Sequence, residues 1–175
     1  KAPKKIQKKL YYIIVKILNI KKISEKLTVH LVVQNEEKYV PFLFDSLRNQ
    51  TFQDWSLIIF DNNSQDATVS LMKEELNDFP VSWKLYEHSS NIGFAGGHNE
   101  LVKRTESEYV LLQNADMYLA PNVFQMTVDF LDQEKNKNVA SSSARLMRWD
   151  FEKAHEDFAK SLTGTVDAIG LSVFR

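Results

Sequence analysis

From Leu27 onward, short apolar runs alternate with segments whose apolar residues recur every three or four positions. Leu27 to Val33 (LTVHLVV) and Trp55 to Phe60 (WSLIIF) are near-continuous apolar runs, the pattern of strands buried on both faces. Val81 to Tyr86 and Tyr109 to Leu112 predict a third and a fourth strand, and Asn138 to Ser143 a fifth. Between the first two, Lys38 to Asn49 sets Val40, Leu43, Phe44 and Leu47 on one helical face, with Pro41 tolerated in the first turn. Ala67 to Leu76 keeps helical spacing through Val69, Met72 and Leu76. Gly97 to Arg104 predicts a short helix, and Pro121 opens another that carries Val123, Phe124, Val128 and Leu131. Strand followed by helix, four times over, predicts an α/β domain: a mostly parallel, Rossmann-like sheet with helices on both faces.

In such sheets ligands sit beyond the carboxyl ends of the strands, and the polar clusters of this chain fall at those ends. They are Gln34-Asn35-Glu36, Asp61-Asn62-Asn63, the stretch Asn91 to Asn99, and Asn114 to Asp116. Asp61 can accept the N3 hydrogen of a pyrimidine or bond a ribose hydroxyl; the same Asx-rich turn also serves simply to start the next helix. SNIGFAGGHN, Ser90 to Asn99, holds Gly93, Gly96 and Gly97 where a chain approaches a ligand closely or adopts positive φ. Amides at the start of the following helix suit an anion, although GxxGG after a third strand is not the dinucleotide fingerprint. Asp116 ends YVLLQNAD, and a cation on a diphosphate needs only one or two carboxylates, since phosphate and water oxygens supply the rest. His30 and His98 lack metal-ligand spacing and read as structural, or as groups that support the site from behind its ligands.

Composition narrows the class. A chain of 175 residues suits one domain with a real core. Cysteine is absent, which excludes disulfide frameworks and thiolate metal sites and fits a reducing, cytoplasmic compartment. The net charge of −1 conceals an asymmetry: residues 1–26 carry nine lysines against Glu25, so the body of the chain is acidic. Such an arm is drawn to anionic surfaces, while the acidic body argues against nucleic acid as partner. Within the arm Ile6, Leu10, Ile13, Ile14, Ile17 and Ile20 keep helical spacing. The run Leu10 to Leu18 is interrupted by Lys16 and falls short of the ~20 residues that span a bilayer. It predicts a helix lying in a membrane surface at the inner face, or one docked on the domain or a partner. The sequence begins with Lys1, which suggests a piece of something longer.

Taken in order, VVQNEE, RNQTFQDWSLIIFDNNSQD, NIGFAGGHN and LLQNAD resemble family-2 glycosyltransferases of the GT-A fold, in particular the bacterial rhamnosyltransferase-like branch. The likeness covers about Thr28 to Leu131. It implies that Val33, Gln34, Asn35 and Glu36, with Asp61 and Asn62, surround the base and ribose of a nucleotide-diphosphate sugar, a UDP- or dTDP-sugar. Asn91, Gly93, Phe94, Gly96 and Asn99 would shape the diphosphate and sugar side. Asp116 would hold Mg²⁺ or Mn²⁺ as the acid of a DxD-like motif in which Asn114 stands where the family more often has Asp.

The resemblance further implies an inverting transfer to a glycan or lipid-linked acceptor in bacterial surface polysaccharide synthesis, with a carboxylate base in a later acidic motif. After Asp116 the acids Asp129, Asp132, Asp150, Glu152, Glu156, Asp157 and Asp167 offer no clear match to that motif, so no catalytic base is assigned. Residues 27–143 then form the donor-binding domain, and residues 144–175 begin an acceptor-side region that stops short. A module that binds a nucleotide sugar without turnover is the alternative. A nucleotidyltransferase would want a basic, glycine-rich loop after the first strand, where this chain has Gln34-Asn35-Glu36.

Overall fold

The computed structural model describes residues 25–144 and 171–174. Strands β1 (Leu27–Val33), β2 (Trp55–Asp61), β3 (Ser82–Glu87) and β4 (Tyr109–Gln113) run parallel, and β5 (Ser141–Ser143) and β6 (Leu171–Phe174) complete a six-stranded sheet. The order is β3-β2-β1-β4-β6-β5, with β6 antiparallel to both of its neighbours. The mostly parallel sheet expected from the sequence is therefore present. Segment 171–174, within residues 144–175 that were read as the start of an acceptor-side region, lies in this same sheet.

Helices α1 (Val40–Arg48), α2 (Thr68–Leu76) and α4 (Val123–Asp132) contribute to the main core, and α3 (Gly93–Val102) packs on the opposite face. Strand alternation explains the division. Leu27, Val29, Leu31 and Val33 of β1 point into the main core, where Phe44, Met72 and Phe124 meet them from the helices. Val32 points the other way and packs with Ile58, Phe60 and Leu101.

Helix α3 begins four residues before its expected start at Gly97, so Gly93 and Gly96 also lie inside its first turns instead of in a preceding loop. The reason is close packing. A Cβ on Gly97 would come within 2.8 Å of Val32 Cγ1 and 3.2 Å of Phe60 Cδ1, so only glycine lets the helix lie this close to the sheet. Gly93, at φ +79, makes the turn into the helix. Helix α4 starts at Val123, two residues after Pro121, which sits in the turn ahead of it. Among the described residues no helix is long and apolar enough to cross a membrane.

Candidate functional site

Strand order creates the site. The chain steps outward from β1 through β2 to β3, then crosses back to place β4 on the other side of β1. The loops after β1 and β4 diverge there, opening the crevice in which α/β sheets bind ligands. In register Val33 lies beside Asp61, and Leu31 beside Gln113, so Glu36 and Asp116 emerge from the two sides of that crevice.

Glu36 is half-buried and its carboxyl is held above the usual carboxylate range, first by burial and then by the charge of Asp116. Asp116 is exposed. Lys38 stands over the ring of Tyr39, 4.5 Å from its centroid, and its ammonium is held up by Tyr39 first and by Glu36 and Asp116 further down. A carboxyl whose charge is disfavoured by a second carboxylate at an open crevice suits a divalent cation completed by phosphate and water oxygens. Among the described residues no three His, Asp or Glu side chains converge as a complete protein-only metal cage. A cation held between Glu36 and Asp116 would need phosphate or water oxygens to complete its coordination.

The strand-end asparagines are occupied differently. Asn62 is 3% exposed: its Nδ2 donates to Asn91 Oδ1 at 2.8 Å, and its Oδ1 accepts from Ile92 N at 2.8 Å. Asn91 Oδ1 also takes Gly93 N at 2.7 Å. This pair therefore braces the entry to α3 with its side chains. Asn35, at φ 56, is laced to the β2–α2 loop: its N donates to Ser64 Oγ at 3.0 Å and its Oδ1 accepts from Gln65 N at 2.8 Å. Glu36 N to Thr68 Oγ1 (2.7 Å) and Ala67 N to Glu37 Oε2 (2.9 Å) continue the lacing. Thr68 and Glu37 were not singled out from sequence; their signal was two polar loops of similar length following adjacent strands.

Asp61 is buried at 3% exposure and takes Ser64 N on its carboxylate, at 3.2 Å from Oδ2. Val33 points into the core and its carbonyl accepts Asn62 N. Gln34 is exposed and Asn114 half-buried beside the crevice. Gly96 is half-buried in α3, whereas Asn99 is exposed on it. Phe94 is 55% exposed, with its ring edge-on to His98 at 4.4 Å.

Beneath Phe94 lies a buried pair of imidazoles, His30 and His98, their centroids 6.2 Å apart. Thr105 donates its hydroxyl proton to Leu101 O, so its oxygen receives Nε2–H of His30 at 2.6 Å, which fixes the His30 tautomer. Burial, then the neighbouring His98, pushes the His30 pKa down to about 4; burial lowers His98 as well. Both are structural in position, packed between α3 and the sheet.

Of the acids considered for a base, Asp129 accepts from Gln125 at 2.7 Å. Asp132 accepts from Tyr109 at 2.7 Å and pairs with Lys26 at 2.9 Å. Asp150, Glu152, Glu156, Asp157 and Asp167 lie outside the described residues.

A crevice flanked by carboxylates at the β1/β4 crossover, with a glycine-bearing helix entry braced to the end of β2, is the arrangement of a ligand-binding α/β domain. Its sequence profile is more specific: the description "Glycosyl transferase family 2" matches residues 28–165, and the chain belongs to that family. It is 30% identical over 95 residues to a teichoic acid poly(glycerol phosphate) polymerase of Staphylococcus epidermidis, covering 54% of this chain and 13% of that protein. It is 27% identical over 111 residues to TarS, a poly(ribitol-phosphate) β-N-acetylglucosaminyltransferase of Staphylococcus aureus, covering 62% of this chain and 19% of TarS.

Among solved structures, S. aureus TarS 1-349 in complex with UDP-GlcNAc matches with a TM-score of 0.56 and 26% identity, over 61% of this chain and 31% of that one. The mannosyltransferase PcManGT of Pyrobaculum calidifontis, in complex with GDP-Man and Mn²⁺, matches over 94% of this chain and 51% of its own length, with a TM-score of 0.68. At 20% identity that likeness shows the fold alone. The chain thus spans well under two thirds of each of these relatives.

Proposed function

We propose that this chain is the donor-binding part of an inverting glycosyltransferase that moves a sugar from a nucleotide diphosphate to a glycan or lipid-linked acceptor of a bacterial surface polymer. The observation that carries the reading is the placement of Glu36 and Asp116 in the loops that follow β1 and β4, adjacent parallel strands at the crossover. TarS, captured with UDP-GlcNAc, supports a UDP-sugar as donor. The rhamnosyltransferase-like form of the DNNSQD and NIGFAGGHN loops makes a dTDP-sugar the second donor class.

In this reading Asp61, anchored by Ser64 N, receives N3–H of the pyrimidine or a ribose hydroxyl, and Gln34 borders the base. The start of α3, fixed by the Asn62–Asn91 brace, lies along the diphosphate and sugar with Gly93, Gly96 and Phe94. Asp116, with Asn114 and Glu36 beside it, holds Mg²⁺ or Mn²⁺. When bound, such a cation stabilises the charge that develops on the leaving diphosphate. No residue is assigned as the base that would deprotonate the acceptor. The lysine-rich arm, residues 1–26, adds attraction to an anionic membrane surface, and flotation with anionic vesicles should fall when it is removed.

Calorimetry of the 175-residue chain with UDP and with dTDP, each with and without Mn²⁺ or Mg²⁺, tests the donor site. One nucleotide should bind tighter with metal, and Asp116→Asn should remove that gain. Binding that ignores both the metal and Asp116 would refute the reading. A donor sugar that binds and is never hydrolysed or transferred would mark a binding module instead.

A further inference from the structure

The loop that carries Asp116 has no regular secondary structure of its own between β4 and α4. Something else must hold it, and the structure shows what does. Gln50, 3% exposed just after α1, uses its whole side chain on this task. Its Nε2 donates to Ala120 O at 2.9 Å and to Ser46 O at 3.1 Å, and its Oε1 accepts Phe124 N, at the start of α4, at 3.3 Å. Thr51 adds a backbone bond, N to Pro121 O at 2.8 Å, and a second from Oγ1 at 3.1 Å. Two residues beyond Asp116, Tyr118 donates its hydroxyl to Asp45 of α1 at 2.6 Å. Burial first, then this bond to a carboxylate, pushes the Tyr118 phenol up to about 12, so the hydroxyl remains a donor throughout the working pH range.

These contacts all tie the loop to α1 or to the turn just after it, and α1 begins directly behind Glu36 and Lys38. The two walls of the crevice are therefore fastened to one rigid element. We propose that Gln50 is a positioning residue for the cation site: through Ala120 and Phe124 it fixes the loop that presents Asp116 at a set distance from Glu36. Tyr118 and Thr51 share the work. Buried polar groups with every partner in place fix one geometry, and loss of a partner is felt where the loop has least support of its own.

The inference rests on the reading of Asp116 as the cation-holding acid. Mutating the groups that orient metal ligands typically weakens metal affinity ~10–100-fold, and Gln50→Met, which keeps the length and removes all three bonds, should weaken Mn²⁺ affinity in the presence of UDP about tenfold. Metal-free UDP binding should stay at the wild-type value. Gln50→Glu retains the acceptor for Phe124 N but sets a buried carboxylate oxygen against the carbonyls of Ala120 and Ser46, so it should weaken Mn²⁺ affinity at least as much as Gln50→Met. Tyr118→Phe provides a milder lesion of the same loop and reads the same quantity should Gln50→Met fail to fold.

Met72→Ala, a core lesion in α2, controls for stability alone and should leave Mn²⁺ affinity unchanged. If Asp116→Asn abolishes the metal effect while the Gln50 and Tyr118 variants titrate Mn²⁺ like wild type or Met72→Ala, the positioning role is overturned and the donor reading stands. If Asp116→Asn itself leaves Mn²⁺ affinity unchanged, the donor reading fails and takes this role with it.

Discussion

Replacing Asn62 by Ala probes the brace between the second strand end and the glycine-bearing helix. The change deletes two hydrogen bonds of 2.8 Å at a residue 3% exposed. Each such bond contributes about 1 kcal/mol net, and a donor left without a partner away from water costs a further 1–3 kcal/mol or so. Ile92 N loses its acceptor, whereas Asn91 Oδ1 keeps Gly93 N at 2.7 Å. Ile92 is 40% exposed, so water replaces much of its lost acceptor; the expected loss is about 2–3 kcal/mol, and urea unfolding would read it as a lower midpoint at unchanged slope. A double-mutant cycle with Asn91→Ala isolates the shared bond. Residues in direct contact couple by about 0.5–3 kcal/mol, so the double variant should lose clearly less than the sum of the single ones. Strict additivity, or a loss under about 0.5 kcal/mol for Asn62→Ala, would refute the brace.

Three further outcomes follow from the geometry. His30 titrates near 4 in the fold and at 6.5 when unfolded. A histidine held down in this way contributes stability above pH 6.5 that is lost as pH falls towards 4, about 3 kcal/mol in all; His30→Gln should flatten acid unfolding across that window, and an unchanged slope would contradict the assignment. Gly97→Ala drives a methyl to 2.8 Å from Val32 and should cost about 1–3 kcal/mol by thermal or urea unfolding. Gly93→Ala meets open space yet keeps a φ of +79, so its cost of about 1–2 kcal/mol should come from the backbone alone and should not be relieved by Val32→Ala, which should relieve Gly97→Ala.

Much of the fold was legible because its central strands are buried on both faces. LTVHLVV and WSLIIF announce themselves by composition, and β1 and β2 appear where those runs lie, β2 extending one residue to take in Asp61. Helix α3 was misplaced at its start because glycine reads as loop, whereas here Gly97 is what allows the helix to touch Val32 and Phe60. Strand β6 was not legible: four residues, LSVF, carry too little pattern, and an antiparallel partner far along the chain leaves no local mark.

The site divides in the same way. Sequence order put Glu36, Asp61 and Asp116 at strand ends, which topology alone dictates. It could not tell an asparagine facing a ligand from one bracing a loop, since both occupy the same turn positions; Asn35, Asn62 and Asn91 proved to be laced to their neighbours. Gln50 passed as part of the stretch RNQTFQDWSLIIFDNNSQD, because two of its partners, Ala120 and Phe124, lie some seventy residues away.

The most direct test of the donor site uses Mn²⁺ as both ligand and probe. With UDP present, substoichiometric Mn²⁺ should selectively broaden the backbone amide signals of residues 33–38 and 114–118, leaving Ser82 and Trp83 at the opposite end of the sheet sharp. Asp116→Asn should abolish the effect. Broadening centred elsewhere, or the same pattern in the Asp116→Asn variant, would contradict a metal-assisted nucleotide-sugar site at the β1/β4 crevice.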